Sequence, residues 1–297
     1  MRALARSGPA RGFTLIELML AMLLLGIVTA GIYRVLVSNQ RTYHAQTQRI
    51  RLQQNIRAAA AILPTEFREI AASERDVYAI GATEVQMRGM RQFGVMCVAP
   101  VLGVGLVDLP ITVFQSLSSG APLAVNDSLL LYYEGDEGSR LDDQWWPAQV
   151  RTVVGNTVCP DGVSPGTSYR INLGPATATM LNRAGAIPTG APIRGFQPVR
   201  YALFQSASDN LWYLGLEIPL GSTIEPIVGP LSGSTGLTFS YFDRAGAPTA
   251  LADSVALIEI RVRGRTAAPV QRATGGGLTI PIDSLMTRAA LRNNRRF

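Results

Sequence analysis

Hydrophobic residues form one long run close to the N-terminus. Residues 13–33 make 21 positions, and Glu17 is the only charged residue among them. At about 1.5 Å per residue, a helix of this length covers roughly 30 Å, the thickness of a bilayer core. An acid inside such a run costs at least ~2.5–3.5 kcal/mol on insertion, so the pattern predicts a function for Glu17.

The charges on either side of the run predict its orientation. The segment before it contains only basic residues, so we expect the N-terminus to stay in the cytoplasm and the remainder to be exported. Arg34 and Arg41 follow the run and weaken this asymmetry a little. The leader arginines are Arg2, Arg6 and Arg11.

The helix is predicted to continue past the membrane, over residues 38–75. Residues 38–63 lack Gly and Pro and are rich in Gln, Arg and Ala, which favour helix. Pro64 is expected either to kink this helix or to begin a second short one. Apolar residues recur at steps of three and four, which predicts one face docked on a globular domain. These residues are Leu52, Ile56, Ala59, Leu63, Phe67 and Ile70.

From residue 76 onward, short β-type runs alternate with clusters of Gly, Pro, Ser and Asn. Residues 206–210 are typical of a hairpin loop, and residues 243–246 of a turn. Two Gly- and Pro-rich stretches, 99–126 and 174–198, are predicted as long loops that contact other subunits or are displayed on a surface. The predicted strands are 128–133, 168–173, 199–204, 211–218, 237–242, 255–262 and 278–282.

A short motif spans the junction between the leader and the apolar run. Gly12, Phe13, Thr14 and Leu15 are followed by Ile16, Glu17 and Leu18, so a Gly stands before the run and an acid lies at a fixed distance inside it. This motif resembles the N-terminus of type IV pilins, a family that includes the type II secretion pseudopilins. Residues 52–57 and 67–71 resemble, more weakly, minor pilins of the PilW and GspJ type.

The resemblance implies an α+β, pilin-like fold in which a long N-terminal helix packs on an antiparallel sheet. Its segments are a cleaved leader (1–12), a transmembrane and filament-core helix (13–37), a periplasmic helix (38–75) and a β-rich head (76–297). It also implies that a prepilin peptidase cuts after Gly12 and methylates the new amine of Phe13. Glu17 would then pair with the N-terminal amine of a neighbouring subunit, which removes much of the cost of burying either charge alone.

The two cysteines, Cys97 and Cys159, would both lie in the oxidising periplasm, which favours a disulfide between them. Two buried free thiols are the alternative. A bridge between them would close a long loop and would stabilise the head by about 2–4 kcal/mol.

Composition argues against catalysis. The single histidine, His44, lies on the predicted polar helix without a nearby acid, and the sequence has no phosphate-binding loop. Clustered His and Cys metal ligands are excluded by count, so we expect neither an enzyme nor a cofactor. One acidic stretch could form a calcium site, although a solvated acidic loop is the simpler interpretation. It contains Glu134, Asp136, Glu137, Asp142 and Asp143.

All 27 basic residues are arginine, which a GC-rich genome explains. The alternative is phosphate or DNA binding by Arg261, Arg263 and Arg265 on one strand, or by the basic C-terminal tail. Aromatic residues are not interleaved with these arginines at stacking spacing, so we expect no nucleic-acid partner.

These observations favour a minor type IV pilin in the bacterial inner membrane with a periplasmic head, which primes or joins a pilus used in adhesion, twitching motility or DNA uptake. Two alternatives stay open: a minor pseudopilin of type II secretion, and a membrane-anchored periplasmic binding protein that does not polymerise. The expected partners are prepilin peptidase, other minor and major pilins or pseudopilins, and an inner-membrane assembly platform.

Overall fold

The computed structural model describes residues 12–100, 108–114, 122–134, 138, 143–173, 187–271 and 277–291. The chain divides into two compact units. The first comprises Met1–Arg51 and Thr266–Pro281, and the second comprises Leu52–Arg265 and Ile282–Phe297.

A single helix, α1 (Leu15–Arg68), dominates the N-terminal part of the chain. Within the first unit, none of its residues is buried. Within the second unit, from Leu52 onward, one face is buried against the sheet. Pro64 is itself buried inside α1, and the helix continues through it to Arg68. The prediction of helix to residue 75 is therefore wrong, because a separate 3₁₀ helix (Ala72–Glu74) follows.

Twelve of the described strands form one antiparallel sheet. Its order is β1-β2-β3-β6-β5-β4-β7-β8-β9-β11-β10, with β14 paired to β11 and an additional β2–β7 pairing. The strands β12 and β13 form a separate two-stranded hairpin in the first unit. The bounds are β1 Val77–Ile80, β2 Glu84–Met96, β3 Leu109–Phe114, β4 Ser128–Tyr133, β5 Gln144–Val158, β6 Pro165–Asn172, β7 Pro192–Gln205, β8 Trp212–Glu217, β9 Glu225–Leu231, β10 Leu237–Phe242, β11 Leu257–Arg265, β12 Val270–Gln271, β13 Leu278–Thr279 and β14 Ile282–Ala290.

Two hydrophobic cores lie within the second unit. The first core joins the buried face of α1 to β1, β2, β7, β8, β9, β10 and β11. Phe67 is at its centre, with edge-on ring contacts to Tyr201 and Phe239. The second core is formed by β3, β4, β5, β6 and one end of β7, around Tyr169 and Trp146. The strands β2 and β7 contribute to both cores, so this pair links them.

The chain after α1 is held to the sheet by a buried carboxylate. Asp76 accepts a hydrogen bond from the Ala71 N–H at 2.8 Å and an ion-paired one from Arg88 at 2.9 Å. The Arg88 guanidinium also lies over the Phe196 ring, 4.9 Å from its centroid. Burial raises the pKa of Asp76 above its ordinary value, although the Ala71 N–H and Arg88 oppose this shift. These contacts fix the direction in which the chain enters β1.

The predicted docking face of α1 is confirmed, since its five residues from Leu52 to Phe67 are buried in the first core. Ile70, the sixth residue of the predicted stripe, is buried in the same core but follows the end of the helix. The hairpin loop after β7 and the turn after β10 lie where they were expected. The predicted loops at 99–126 and 174–198 are wrong in part, because β3 lies within the first and β7 begins within the second. Seven strands were not predicted: β1, β2, β3, β5, β9, β12 and β14, the last of which shares only Ile282 with the predicted strand 278–282.

Candidate functional site

The two residues at the junction between leader and helix, Gly12 and Phe13, are exposed. Gly12 and Phe13 precede α1, and Phe13 is 89% exposed. A Cβ atom built on Gly12 would meet no atom of the described residues within 4 Å. The fold itself therefore does not require glycine at this position. A residue without a side chain lets the backbone enter a narrow protease cleft, so the requirement for Gly12 would come from an external enzyme.

Glu17 takes part in a reciprocal cap at the start of α1. The backbone N–H of Thr14 donates to Glu17 Oε2 at 2.9 Å, and the Thr14 hydroxyl donates to the same oxygen at 3.0 Å. In return, the Glu17 N–H donates to Thr14 Oγ1 at 3.3 Å. This arrangement is a capping box, which satisfies two backbone donors that a helix N-terminus otherwise leaves without partners.

The same geometry places a negative charge where the helix favours it. Glu17 is in the first turn of α1, close to the positive end of the helix dipole. Both bonds to its side chain end on Oε2, so the capping box uses one carboxylate oxygen. The carboxylate is thus held near the Gly12–Phe13 bond by its own chain, before any neighbouring subunit is present.

Sequence analysis missed the role of Thr14. The signal was present, because Thr14 and Glu17 stand three residues apart directly before a hydrophobic run, which is the signature of a capping box.

The helix that follows exposes its apolar side chains. An 18-residue window of α1 has a mean hydropathy of 2.4, and none of that window is buried. By length and composition, α1 is the one helix in the described parts of the chain that could cross a membrane. An exposed apolar surface of this extent needs lipid or other helices to cover it.

The structure joins Cys97 and Cys159 in a disulfide. Cys97 follows the end of β2 and Cys159 the end of β5, so the bond connects two strands that are not neighbours in the sheet. Backbone bonds hold both ends: the Cys97 N–H donates to Thr112 and the Cys159 N–H to Ser164, each at 2.9 Å.

Three residues of the predicted calcium loop, Asp136, Glu137 and Asp142, lie outside the described residues. Glu134 and Asp143 are described, and no group of three or more possible metal ligands occurs within the described ranges. The other residues singled out in the sequence, His44 and the arginines of β11, lie on separate elements. His44 is exposed on α1, with its ring edge-on to Tyr43.

The arginines of β11 do share one face of their strand. Arg261 and Arg263 are exposed and Arg265 is half-buried. On the same face, the Glu259 carboxylate approaches Arg261 at 4.0 Å and pairs with Arg288 of β14 at 2.8 Å. Part of this basic strip is therefore neutralised from within the sheet.

Comparison with known protein families gives one match. Residues 9–33 match the family described as the prokaryotic N-terminal methylation motif. The match covers the Gly12–Phe13 junction, the capping box and the apolar part of α1, and it supports a type IV pilin-like protein that is processed by prepilin peptidase. Neither the comparison with curated proteins nor that with solved structures gives a match.

Proposed function

We propose that this pilin-like chain is a minor type IV pilin, a structural subunit without catalytic activity that primes or joins pilus assembly. The observation that carries the proposal is the N-terminal site. A glycine that the fold does not need precedes a capped glutamate at the start of α1, whose apolar run is exposed along its whole length. The methylation motif covers the same residues.

Cleavage after Gly12 would turn the amide of Phe13 into a free amine, which is then methylated. In the membrane-embedded subunit, Glu17 has the N–H and hydroxyl of Thr14 as partners. In a filament, the amine of a neighbouring subunit would approach the same carboxylate. Burying a lone carboxylate or a lone ammonium is costly, and pairing them removes much of both costs. Such a pair would set the axial register, because only one stagger of the helices brings the two charges together.

During assembly, the surroundings of the apolar run of α1 would change from lipid to other pilin helices. The apolar side chains of α1 would contact lipid in the inner membrane, with the head in the periplasm. An extraction motor on the assembly platform would lift the subunit, and bundling with other pilin helices would replace the lipid. At 297 residues the precursor is larger than a typical major pilin, which favours a minor or initiating subunit.

The first test is the mass of the mature N-terminus. A chain purified from membranes should begin at methylated Phe13. A chain that begins at unmodified Met1, or one cut after Ala30, would exclude a pilin-like subunit. Processing without incorporation into filaments would instead identify a membrane-anchored binding protein.

The second test asks whether assembly needs the charge of Glu17 in addition to its hydrogen bonds in the capping box. Glu17→Gln keeps a side chain that can accept from Thr14 and removes the charge, so we expect normal cleavage and reduced recovery in sheared filaments. Glu225→Gln removes the same charge from an exposed strand residue and should leave recovery unchanged. Equal recovery of the two variants would refute the role of Glu17 in register. Co-occurrence with genes of a secretion system rather than of pili would instead identify a pseudopilin.

A further inference from the structure

Between the apolar run and Glu66, the charged side chains of α1 are all arginines. Between Glu17 and Glu66 the helix contains no acidic residue, and it contains five arginines. The first two, Arg34 and Arg41, are exposed, and neither forms an ion pair within the described residues. On the exported side of a membrane helix, such charges oppose the preferred orientation, and an anionic partner would offset them.

These two arginines line one face of the helix. Arg34, Ser38 and Arg41 follow each other at steps of four and three residues, so they are neighbours on the helix surface. With Gln271 of β12, in the same unit, they border a groove of about 660 Å³. Side chains on a helix lean toward its N-terminus, so the guanidinium of Arg41 is directed back toward the apolar run.

A second, apolar groove, called the lower groove, adjoins the first one toward the N-terminus of α1, within the membrane-length run. It has a volume of about 550 Å³, and Tyr33 borders both grooves. The lower groove exists because small residues stand among larger ones along the helix. Its lining is Met22, Leu25, Gly26, Thr29, Ala30 and Tyr33.

From this we infer that α1 binds an anionic phospholipid of the periplasmic leaflet, with the phosphate on Arg34 and Arg41 and an acyl chain in the groove beside Gly26. A guanidinium matches a phosphate through two parallel hydrogen bonds, and Tyr33 is the amphipathic residue expected at the boundary of the two regions. The polar groove alone would fit any phosphate. Its continuity with an apolar groove at membrane depth favours a lipid.

The inference rests on the membrane-anchored state in the proposed function. It adds the release of a bound lipid to the assembly of the subunit into a filament. The bound lipid holds the subunit at a defined depth, and extraction into a filament has to remove it. The site would therefore be occupied before assembly and empty afterwards.

The test uses the full-length chain in nanodiscs of phosphatidylcholine with a minority of phosphatidylglycerol. The lipid that stays bound after release is identified by native mass spectrometry. Arg34→Gln combined with Arg41→Gln should lower the retention of phosphatidylglycerol about 30-fold, at about 1 kcal/mol for each arginine near an anionic lipid. Arg51→Gln combined with Arg57→Gln is the control, because it removes the same charge from the same helix farther from the membrane.

A second pair of variants tests the apolar groove without changing charge. Gly26 and Gly31 are both exposed in α1, and a Cβ on either would meet no atom within 4 Å. Gly26→Leu fills the groove and should reduce retention, whereas Gly31→Leu lies outside it and should not. Equal retention in either matched pair would overturn the inference.

Inorganic phosphate distinguishes a lipid site from a plain phosphate site. If it displaces phosphatidylglycerol completely at millimolar concentration, the apolar groove contributes nothing and the lipid assignment is wrong. We expect little displacement. Processing at Gly12–Phe13 is measured on the same preparations. A loss of lipid retention with normal processing therefore tests this inference, and failed processing tests the proposed function.

Discussion

The contact between α1 and the sheet depends on one position without a side chain. Gly264 lies in β11, opposite the buried face of the helix. A Cβ atom there would meet Leu52 Cδ1 at 2.7 Å and Ile56 Cγ1 at 3.0 Å. Strand pairing on both sides, with Leu231 of β9 and Asp283 of β14, limits how far the backbone can move away. We therefore expect Gly264→Ala to destabilise the chain.

Gly264→Ala should lower the free energy of unfolding by overpacking the core, and removing the Leu52 side chain should reduce that cost. An extra methyl group in a packed core costs about 1–3 kcal/mol in free energy of unfolding. Leu52 is 4% exposed, so Leu52→Ala alone should cost about 2–5 kcal/mol through the cavity it leaves. In the double variant, the methyl group added at position 264 enters space that the Leu52 side chain has vacated. The double variant should therefore be more stable than the sum of the single effects predicts, by about 1 kcal/mol or more.

The assay is urea unfolding of the full-length chain in detergent, followed by tryptophan fluorescence. Gly277→Ala is the control, because a Cβ there would meet no atom of the described part of the chain within 4 Å, and it should stay within about 1 kcal/mol of wild type. Additive effects of Gly264→Ala and Leu52→Ala would refute the argument, since they would show that the two groups do not compete for the same space. A Gly264→Ala variant as stable as wild type would do so as well.

Two further predictions concern the head. Replacing Cys97 and Cys159 together by serine should lower the free energy of unfolding by about 2–4 kcal/mol, because their bond closes a long loop; reductant should destabilise wild type to the same extent and leave the variant unchanged in urea unfolding. Tyr213 donates to the Asp209 carboxylate at 2.6 Å, which raises the pKa of Tyr213 to about 12. Protonated Tyr213 therefore contributes stability that is complete below about pH 10 and is lost as the pH rises to about 12. Asp209→Asn should return this pKa toward its ordinary value in an absorbance titration of the phenolate, and an unchanged titration would contradict the assignment.

Local patterns in the sequence predicted those elements whose signal is local. The stripe from Leu52 to Ile70 has helical spacing, and its burial follows directly. The strands β4 and β10 were predicted with the bounds that the structure gives them, because each is a short apolar run between turn residues. The motif at Gly12–Glu17 predicted the site for the same reason, although Thr14 was overlooked.

The missed strands have weaker or mixed signals. In β3, Leu109, Ile111 and Val113 are buried alternately, but Pro110 and the surrounding glycines favoured a loop. The second half of β5 has no buried residue after Val150, so it lacks the alternation that marks a half-buried strand.

The order of strands could not be predicted from local patterns at all. The central β2–β7 pair joins Glu84 to Ala202, and the packing of both cores depends on this distant contact.

The docking face of α1 also has a consequence for synthesis. Its stripe is translated by residue 70, but the last partners in its core, Ala289 and Leu291, emerge only near the C-terminus. At about 5–20 residues per second, the interval is on the order of 10–40 s. During that time the stripe has no complete partner surface. The nascent chain therefore exposes an apolar face until β11 and β14 have been made.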